Sequence, residues 1–150
     1  MTAGRPFIGV VDLGVGNLRS LMNALDAIGA DARPITGPDE VREAVSLVLP
    51  GVGAFRAGMD ALASRGLAEP IVEDVHAGKP ILGICLGLQL FMTEGEEFGR
   101  HRGLDLVPGR VVALPEPDAA GEGYKVPHIG WRPIQPVVSE DRSPLDEIPP

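Results

Sequence analysis

The sequence is short of cysteine, of positive charge and of long apolar runs, and each shortage excludes a class of protein. The single cysteine, Cys85, cannot form an internal disulfide, which argues against a secreted disulfide scaffold and favours a reducing, cytoplasmic location. Thirteen Lys and Arg against 21 Asp and Glu give a net charge of −8, with no basic stripe for nucleic-acid phosphates. The longest apolar window, residues 80–92, is interrupted by glycines and is shorter than the roughly 20 residues of a membrane helix. We therefore expect a soluble protein that binds neither nucleic acid nor a membrane.

The composition that remains is that of an ordinary globular domain. Of the 150 residues, 44% are hydrophobic and 23% are charged. A chain of this length buries roughly 70% of its unfolded surface around one core. We therefore expect residues 1–150 to form a single domain.

Alternating strand and helix patterns predict an α/β fold. Residues 7–11 form a continuous apolar run that suits a strand buried on both faces, and residues 17–28 carry apolar side chains at helical spacing up to Gly29. The same criteria predict strands at 30–36, 46–49 and 80–84, and helices at 38–44, 55–64, 67–76 and 86–92. We expect a mostly parallel sheet with helices on both faces and functional loops at the carboxyl ends of the strands.

The pattern changes after Glu94, where glycine and charged residues dominate as far as Gly103. Residues 109–114 and 124–138 are predicted to be antiparallel strands around a mobile loop at 115–123. Residues 139–150 are acidic and rich in proline, which predicts a tail or a connection to a further segment.

Gly14 and Gly16, after the first strand, resemble the start of a dinucleotide-binding fingerprint. The third glycine of that motif is replaced by Arg19, whose side chain would prevent close helix–strand packing. A tight turn accounts for both glycines. A nucleotide-binding oxidoreductase remains an alternative that only these glycines support.

A second glycine pair, in the stretch LPGVGAF at residues 49–55, follows a predicted buried strand. Glycines at 51 and 53 permit positive φ angles, so that successive backbone N–H groups can turn toward one anionic oxygen. The alternative is a simple turn.

The stretch GICLG at residues 83–87 has the form of a nucleophile elbow, with Cys85 in the position that serine takes in hydrolases. Such an elbow is a strained strand-to-helix turn that exposes the nucleophile and needs small flanking residues. The helix that follows favours the thiolate form of the sulfur. The alternative for Cys85 is a small buried hydrophobic residue.

Together these stretches resemble the class I (triad) glutamine amidotransferases, and within them the family of glutaminase subunits of imidazole glycerol phosphate synthase. The similarity extends over nearly the whole chain and lies in the motifs GVGNLRS (14–20), LPGVGAF (49–55), GICLGLQLF (83–91), EEFG (96–99), GLDLVPGRV (103–111) and KVPHIGW (125–131).

The resemblance implies a three-layer amidotransferase fold that hydrolyses glutamine to glutamate and ammonia through a thioester on Cys85, without cofactor or metal. It implies an oxyanion hole formed by Gly51, Val52, Gly53 and Leu86. It assigns the binding of glutamine to Gln89 and Glu97. The implied partner is a cyclase subunit, a (β/α)₈ barrel that consumes the ammonia to make imidazole glycerol phosphate and AICAR in histidine biosynthesis. The implied heterodimer interface includes Asn17, His128 and Trp131.

The sequence departs from the family in one catalytic feature. The family's catalytic His and Glu lie in a His-Pro-Glu motif, which is absent, and the three histidines present are His76, His101 and His128, none in that context. We therefore expect that the C-terminal part of the fold is missing and that this chain is inactive. Two further alternatives stay open: an amidotransferase that supplies another acceptor enzyme, and a non-catalytic scaffold subunit with the same fold.

Overall fold

The computed structural model of the protein describes residues 5–14, 16–114, 130, 131 and 133. The chain divides into two units, Met1–Ala113 and Leu114–Pro150. All the helices and strands described below lie in the first unit. The expectation of a single domain stays a prediction, because only a few positions of the second unit are described.

A four-stranded parallel sheet forms the centre of the first unit. Its strands are β1 (Ile8–Val11), β2 (Ala32–Ile35), β3 (Ser46–Gly51) and β4 (Ile81–Cys85), in the spatial order β2-β1-β3-β4. The helices between them are α1 (Leu18–Ala27), α2 (Pro38–Glu43), α3 (Phe55–Ser64) and α4 (Ala68–His76), and a short helix α5 (Leu86–Leu90) follows β4. The predicted alternation of strands and helices, and the parallel sheet, are confirmed.

The core lies on one face of this sheet. It joins side chains of β1 and β3, such as Val11 and Leu49, to Phe55 and Leu62 of α3 and Ile71 of α4, all of which are fully buried. These residues recur at alternate positions in the strands and at helical spacing in the helices, which is why the sequence pattern locates them correctly.

Helix α1 has a different environment from the other long helices. Asn17 caps its N-terminus, because the side-chain oxygen Oδ1 accepts a hydrogen bond from Ser20 N at 3.2 Å. None of its residues is buried, although its apolar side chains occur at helical spacing. The sequence therefore predicts the helix correctly but does not reveal that its apolar face is left half-exposed.

A second sheet was not predicted. It contains β5 (Met92–Gly95), β6 (His101–Arg102) and β7 (Val107–Val111) in the order β6-β5-β7. The prediction of a helix over 86–92 is wrong at its end, because α5 stops at Leu90 and Met92 begins β5. The strand predicted at 109–114 is β7, which pairs parallel to β5. Its predicted antiparallel partner at 124–138, the loop 115–123 and the tail 139–150 fall almost wholly outside the described residues.

In the described part of the chain, no helix reaches the length and apolarity that crossing a membrane requires.

Candidate active site

Cys85 is the last residue of β4 and the N-cap of α5, and it is exposed. Its backbone angles are φ 56° and ψ −117°, in a region that residues with a side chain rarely adopt. Holding a non-glycine residue there costs about 1–3 kcal/mol. The predicted strained turn between strand and helix is therefore present, and its exposed thiol is not the buried hydrophobic residue of the alternative interpretation.

The two glycines that flank Cys85 are required by close packing. A Cβ atom on Gly83 would lie 2.6 Å from Leu88 Cα, and one on Gly87 would overlap the carbonyl oxygen of Leu49. Both contacts are with backbone atoms, which cannot rotate away. Any larger residue at these positions would push α5 off the end of the sheet and move the thiol.

The second glycine pair lies beside the thiol, because Gly51 of β3 is the register partner of Cys85. Gly53 has a φ of 104°, as predicted, and a Cβ there would meet open space. Gly51 differs from the prediction: its φ is not positive, and a Cβ there would make a tight contact, 3.3 Å from the Leu86 side chain. Gly53 thus allows the backbone to turn, whereas Gly51 packs closely against the first residue of α5.

A cavity of about 290 Å³ opens at the thiol. The residues that line it are Gly53, Cys85, Leu86, Gln89, Glu96, Glu97, Val111, Val112 and Ala113. It therefore contains the predicted nucleophile, part of the predicted oxyanion loop and both predicted glutamine-binding residues. Val52, half-exposed, neighbours the cavity in sequence but does not line it. A larger cavity of about 650 Å³ lies against α3, α4 and β6, without a thiol among its lining residues.

Glu97, one of the residues that line this cavity, is held by a hydrogen bond. Its Oε2 accepts a bond from Phe55 N, the first amide of α3, at 2.8 Å. Glu97 is 42 residues from Phe55 in sequence, so this bond joins the turn after β5 to the first residue of α3, next to the predicted oxyanion loop.

Arg110 and Glu96 hold the turn that carries Glu97, and sequence analysis assigned a role to neither. Arg110 Nη1 donates to Glu96 Oε1 at 2.8 Å, and Glu96 N donates to Val111 O at 2.9 Å. Both residues lie within motifs of the resemblance, yet the pairing of β5 with β7 brings them together, and that sheet was not predicted.

Both glycines of the loop after β1 adopt positive φ angles. Gly14 and Gly16 have φ angles of 76° and 116°, and Gly14 N donates to Asp12 Oδ1 at 2.7 Å. The Arg65 guanidinium lies 2.9 Å from the place that a Gly14 Cβ would occupy. Positive φ and close approach together account for the glycines without a nucleotide.

The residues assigned to the partner interface are placed in part. Asn17 is exposed and its side chain caps α1, so the residue has a structural role whether or not it contacts a partner. Trp131, in the second unit, is exposed. His128 lies outside the described residues.

Neither described histidine reaches the thiol. His76 is the last residue of α4 and His101 belongs to β6, and neither lines the cavity at Cys85. The described residues that line this cavity include no histidine, and their ionisable side chains other than Cys85 are the carboxylates of Glu96 and Glu97.

Sequence comparison relates this chain to the glutamine amidotransferases. The family model of class-I glutamine amidotransferases matches residues 9–138. The imidazole glycerol phosphate synthase subunit HisH of Syntrophotalea carbinolica is 52% identical over 126 residues, which cover 83% of this chain and 61% of that protein. The subunits of the same name from Legionella pneumophila (strain Paris) and Desulfitobacterium hafniense (strain DCB-2) are 45% and 46% identical over 127 residues, covering 85% of this chain and 60% and 57% of those proteins. The chain thus spans about 60% of the length of the curated relatives it matches.

Solved structures support the fold. A glutamine amidotransferase crystal structure superposes with a TM-score of 0.57 at 21% identity, over 65% of this chain and 51% of that one. A peptidase E protein from Listeria monocytogenes EGD-e superposes with a TM-score of 0.58 at 13% identity, over 71% of this chain and 65% of that one. At these identities the likeness establishes a shared α/β architecture and nothing about chemistry.

Proposed function

The chain belongs to the class-I glutamine amidotransferase family, and from that premise we propose that it is the glutaminase part of an imidazole glycerol phosphate synthase, acting in histidine biosynthesis. The observation that carries the proposal is the exposed Cys85 at a strained elbow, in one cavity with Gln89 and Glu97. The names of the relatives support the choice of synthase.

In the proposed reaction the Cys85 sulfur attacks the side-chain amide carbon of glutamine. The C–N bond breaks, the nitrogen leaves as ammonia after gaining a proton, and a γ-glutamyl thioester remains on the sulfur. Water then attacks the thioester, releasing glutamate and restoring the thiol. The sum is glutamine plus water giving glutamate plus ammonia.

Each tetrahedral intermediate places negative charge on the former carbonyl oxygen. Backbone N–H groups of the Gly51-Val52-Gly53 segment and of Leu86 are proposed to meet that charge, since the register pairing of Gly51 with Cys85 puts both segments beside the sulfur. The loss of one such donor typically costs about 3 kcal/mol in transition-state stabilisation.

Glutamine itself is proposed to be held by Glu97 and Gln89. A carboxylate suits the α-ammonium group, and the hydrogen bond from Phe55 N fixes the orientation of Glu97 before the ligand arrives. Gln89 lies four residues after Cys85, one helical turn away, where its amide can bond to the backbone part of the substrate.

None of the described residues near Cys85 is assigned the role of general base. Because the members of a nucleophile–base constellation act as a unit, we propose that this chain alone hydrolyses glutamine several orders of magnitude more slowly than an enzyme with the full triad. The exposed thiol remains accessible to electrophiles even where glutamine hydrolysis is slow.

The ammonia is proposed to pass to a cyclase subunit with a (β/α)₈ barrel, bound as a heterodimer through a surface that includes Asn17, His128 and Trp131. Asn17 also caps α1, so its substitution would change helix stability as well as binding. Trp131→Ala is therefore the cleaner interface variant. Its exposed side chain makes no demand on the fold, and we expect weaker cyclase binding.

A glutamine analogue with a diazoketone in place of the amide tests the assignment of the site. Attack by the sulfur forms a thioether and expels dinitrogen, so the chain gains one covalent adduct that intact-mass spectrometry counts. We expect a single adduct on Cys85, suppression by L-glutamine but not by D-glutamine, and no adduct on Cys85→Ser. Labelling that is equally fast with the two analogue enantiomers would contradict the proposal.

Matched variants on α5 separate substrate binding from thiol accessibility. Gln89→Ala should slow labelling by the analogue at least tenfold and leave alkylation by iodoacetamide unchanged. Leu88→Ala, at a neighbouring exposed position outside the cavity, should change neither rate by more than twofold. Equal effects of the two variants would remove Gln89 from the site.

A scaffold subunit without catalysis is the second candidate, favoured by the absence of a histidine from the described lining of the cavity. It predicts cyclase binding that Cys85→Ala leaves unchanged, together with no stereoselective labelling. An amidotransferase for another acceptor enzyme predicts stereoselective labelling without binding to the cyclase.

A further inference from the structure

The segment that carries Glu97 has a strained backbone. Residues 96–99 lie between the antiparallel strands β5 and β6, and we call them the Glu97 turn. Phe98 has a φ of 54° and Gly99 has a φ of 119°. For a bulky residue such as phenylalanine a positive φ is an outlier, and burial does not compensate for it, because Phe98 is 91% exposed. Backbone in this state persists only where neighbouring contacts hold it.

Three hydrogen bonds hold the Glu97 turn against its neighbours. Glu97 Oε2 accepts one from Phe55 N at 2.8 Å. Glu96 N donates a second to Val111 O at 2.9 Å, and Arg110 Nη1 donates the third to Glu96 Oε1 at 2.8 Å. Of the three side chains in these bonds, only that of Arg110 belongs to a residue that does not line the cavity at the thiol. Arg110 can therefore be substituted without changing the cavity wall itself.

The ion pair of Arg110 with Glu96 also separates the roles of two adjacent carboxylates. Glu96 and Glu97 both line the cavity, so an ammonium group that enters it is attracted to either one. Arg110 compensates the charge of Glu96, whereas the described residues include no cationic partner for Glu97. The pair therefore leaves Glu97 as the carboxylate that competes best for an ammonium group.

We propose that Arg110 is a positioning residue for glutamine binding, which acts through Glu96 to keep Glu97 directed at the α-ammonium group. The inference rests on the proposed function, because it takes Glu97 as the receptor of that group. The side chains of Arg110 and Glu96 are 57% and 36% exposed, and an ion pair so exposed adds little to the stability of the fold. We therefore expect its loss to weaken binding by a moderate factor and to leave the fold intact.

The first test measures how labelling depends on the concentration of the diazoketone analogue. Arg110→Met should raise the half-saturating concentration about threefold or more, because Glu97 is less well oriented, and should leave the labelling rate at saturation within about twofold. Arg110→Lys should restore binding to within about twofold of the unchanged chain, because the bond to Glu96 uses a single nitrogen of the guanidinium. An unchanged half-saturating concentration in Arg110→Met would contradict the proposal.

Arg100→Met is the matched control. Arg100 Nη2 donates to Glu94 Oε1 at 3.0 Å in an ion pair of similar exposure, but Glu94 does not line the cavity. Its half-saturating concentration should change by less than about twofold, and thermal melting of both methionine variants should match that of the unchanged chain. Equal effects of the two variants on binding would show a general loss of positive charge and overturn the proposal.

A double-mutant comparison tests whether Arg110 acts through Glu96. If it does, Glu96→Gln combined with Arg110→Met should bind the analogue no more weakly than Glu96→Gln alone, because the ion pair is already broken. Losses that add would place the effect of Arg110 elsewhere and contradict the proposal.

Hydrogen exchange at the Phe55 amide tests the positioning without any labelling chemistry. That amide donates to Glu97 Oε2, so its exchange should be about threefold faster or more in Arg110→Met and unchanged in Arg100→Met. Unchanged exchange in Arg110→Met overturns the positioning of Glu97. Labelling of the unchanged chain without stereoselectivity would instead contradict the proposed function, so the two failures are distinguishable.

Discussion

At the scale of single residues, the backbone at Cys85 is the feature that sequence similarity could not supply. A cysteine at φ 56° is held by its surroundings against its own preference. The glycine pattern predicts the turn, because Gly83 and Gly87 leave room for backbone that a Cβ would displace. The close packing of Gly51 against Leu86 could not be predicted, because it depends on two segments that only the folded sheet brings together.

The strain at Cys85 gives a first prediction. Cys85→Gly should be more stable than Cys85→Ala by about 1 kcal/mol, because glycine adopts this φ without a Cβ clash and alanine does not. Urea unfolding of the two variants measures the difference. At Leu88, in α5 and exposed, the order should reverse, with alanine more stable than glycine by about 1 kcal/mol. The same order at both positions would mean that the elbow is not strained.

At the scale of elements, the three longest helices, α1, α3 and α4, were predictable because their apolar side chains recur at helical spacing. The second sheet was not. Strand β5 reads MTEG, with two polar residues in four, and β6 has two residues, so neither carries a periodic signal. For the candidate site, the sequence predicted Cys85, Gln89 and Glu97, which line one cavity, but not the ion pair of Arg110 with Glu96, which the second sheet brings together.

The start of α2 depends on a carboxylate that accepts backbone hydrogen bonds. Glu40 Oε2 accepts bonds from Thr36 N at 2.7 Å and from Gly37 N at 2.9 Å. These bonds, that from Thr36 first, lower the pKa of the Glu40 carboxyl below its ordinary value. A lowered pKa in the folded state stabilises the protein above the unfolded-state pKa, and the contribution is lost as pH falls through the folded-state pKa.

We therefore expect Glu40→Gln to lower the free energy of unfolding at pH 7 by about 0.5–1 kcal/mol. The gap between the variant and the unchanged protein should narrow as pH falls below the ordinary carboxyl pKa and then through the lowered pKa of Glu40, where the folded protein takes up the proton. Urea unfolding of both proteins across pH 3–7 measures this difference in the free energy of unfolding. Glu43→Gln, at the other end of the same helix, should cost less than about 0.5 kcal/mol throughout. A gap for Glu40 that does not narrow toward the acid end of this range would contradict the role of the charge.

Lys79 joins the ends of two helices. Its Nζ donates to Val41 O at 2.6 Å and to Asp74 Oδ2 at 2.6 Å, and its side chain is only 13% exposed. Removing the ammonium leaves a partly buried carbonyl and a carboxylate without their donor.

Lys79→Met should therefore destabilise the protein by about 1–3 kcal/mol. The matched control is Arg56→Met, which removes an exposed pair with Asp60 at 3.5 Å and should cost less than about 0.5 kcal/mol. Chemical denaturation of both variants provides the comparison. Similar losses for the two would show that Lys79 contributes no more than a surface ion pair.

At the scale of the whole molecule, stability is expected to fall from the middle of the sheet to its open side. Strands β1 and β3 each have two neighbours and buried side chains, whereas β4 has one neighbour among the described strands and exposed ones. Hydrogen exchange followed by NMR should show the slowest amides in β1 and β3 and faster exchange in β4. Protection of β4 equal to that of β1 would mean that the edge is covered.

The unusual angle at position 85 also has an evolutionary consequence. A change from Cys85 to glycine would remove the thiol and, in the same step, relieve the strain of the positive φ angle. Natural selection for stability alone therefore favours this change. Lineages that no longer need the sulfur are then expected to drift toward glycine at this position, and a cysteine that persists there marks continued selection on the thiol.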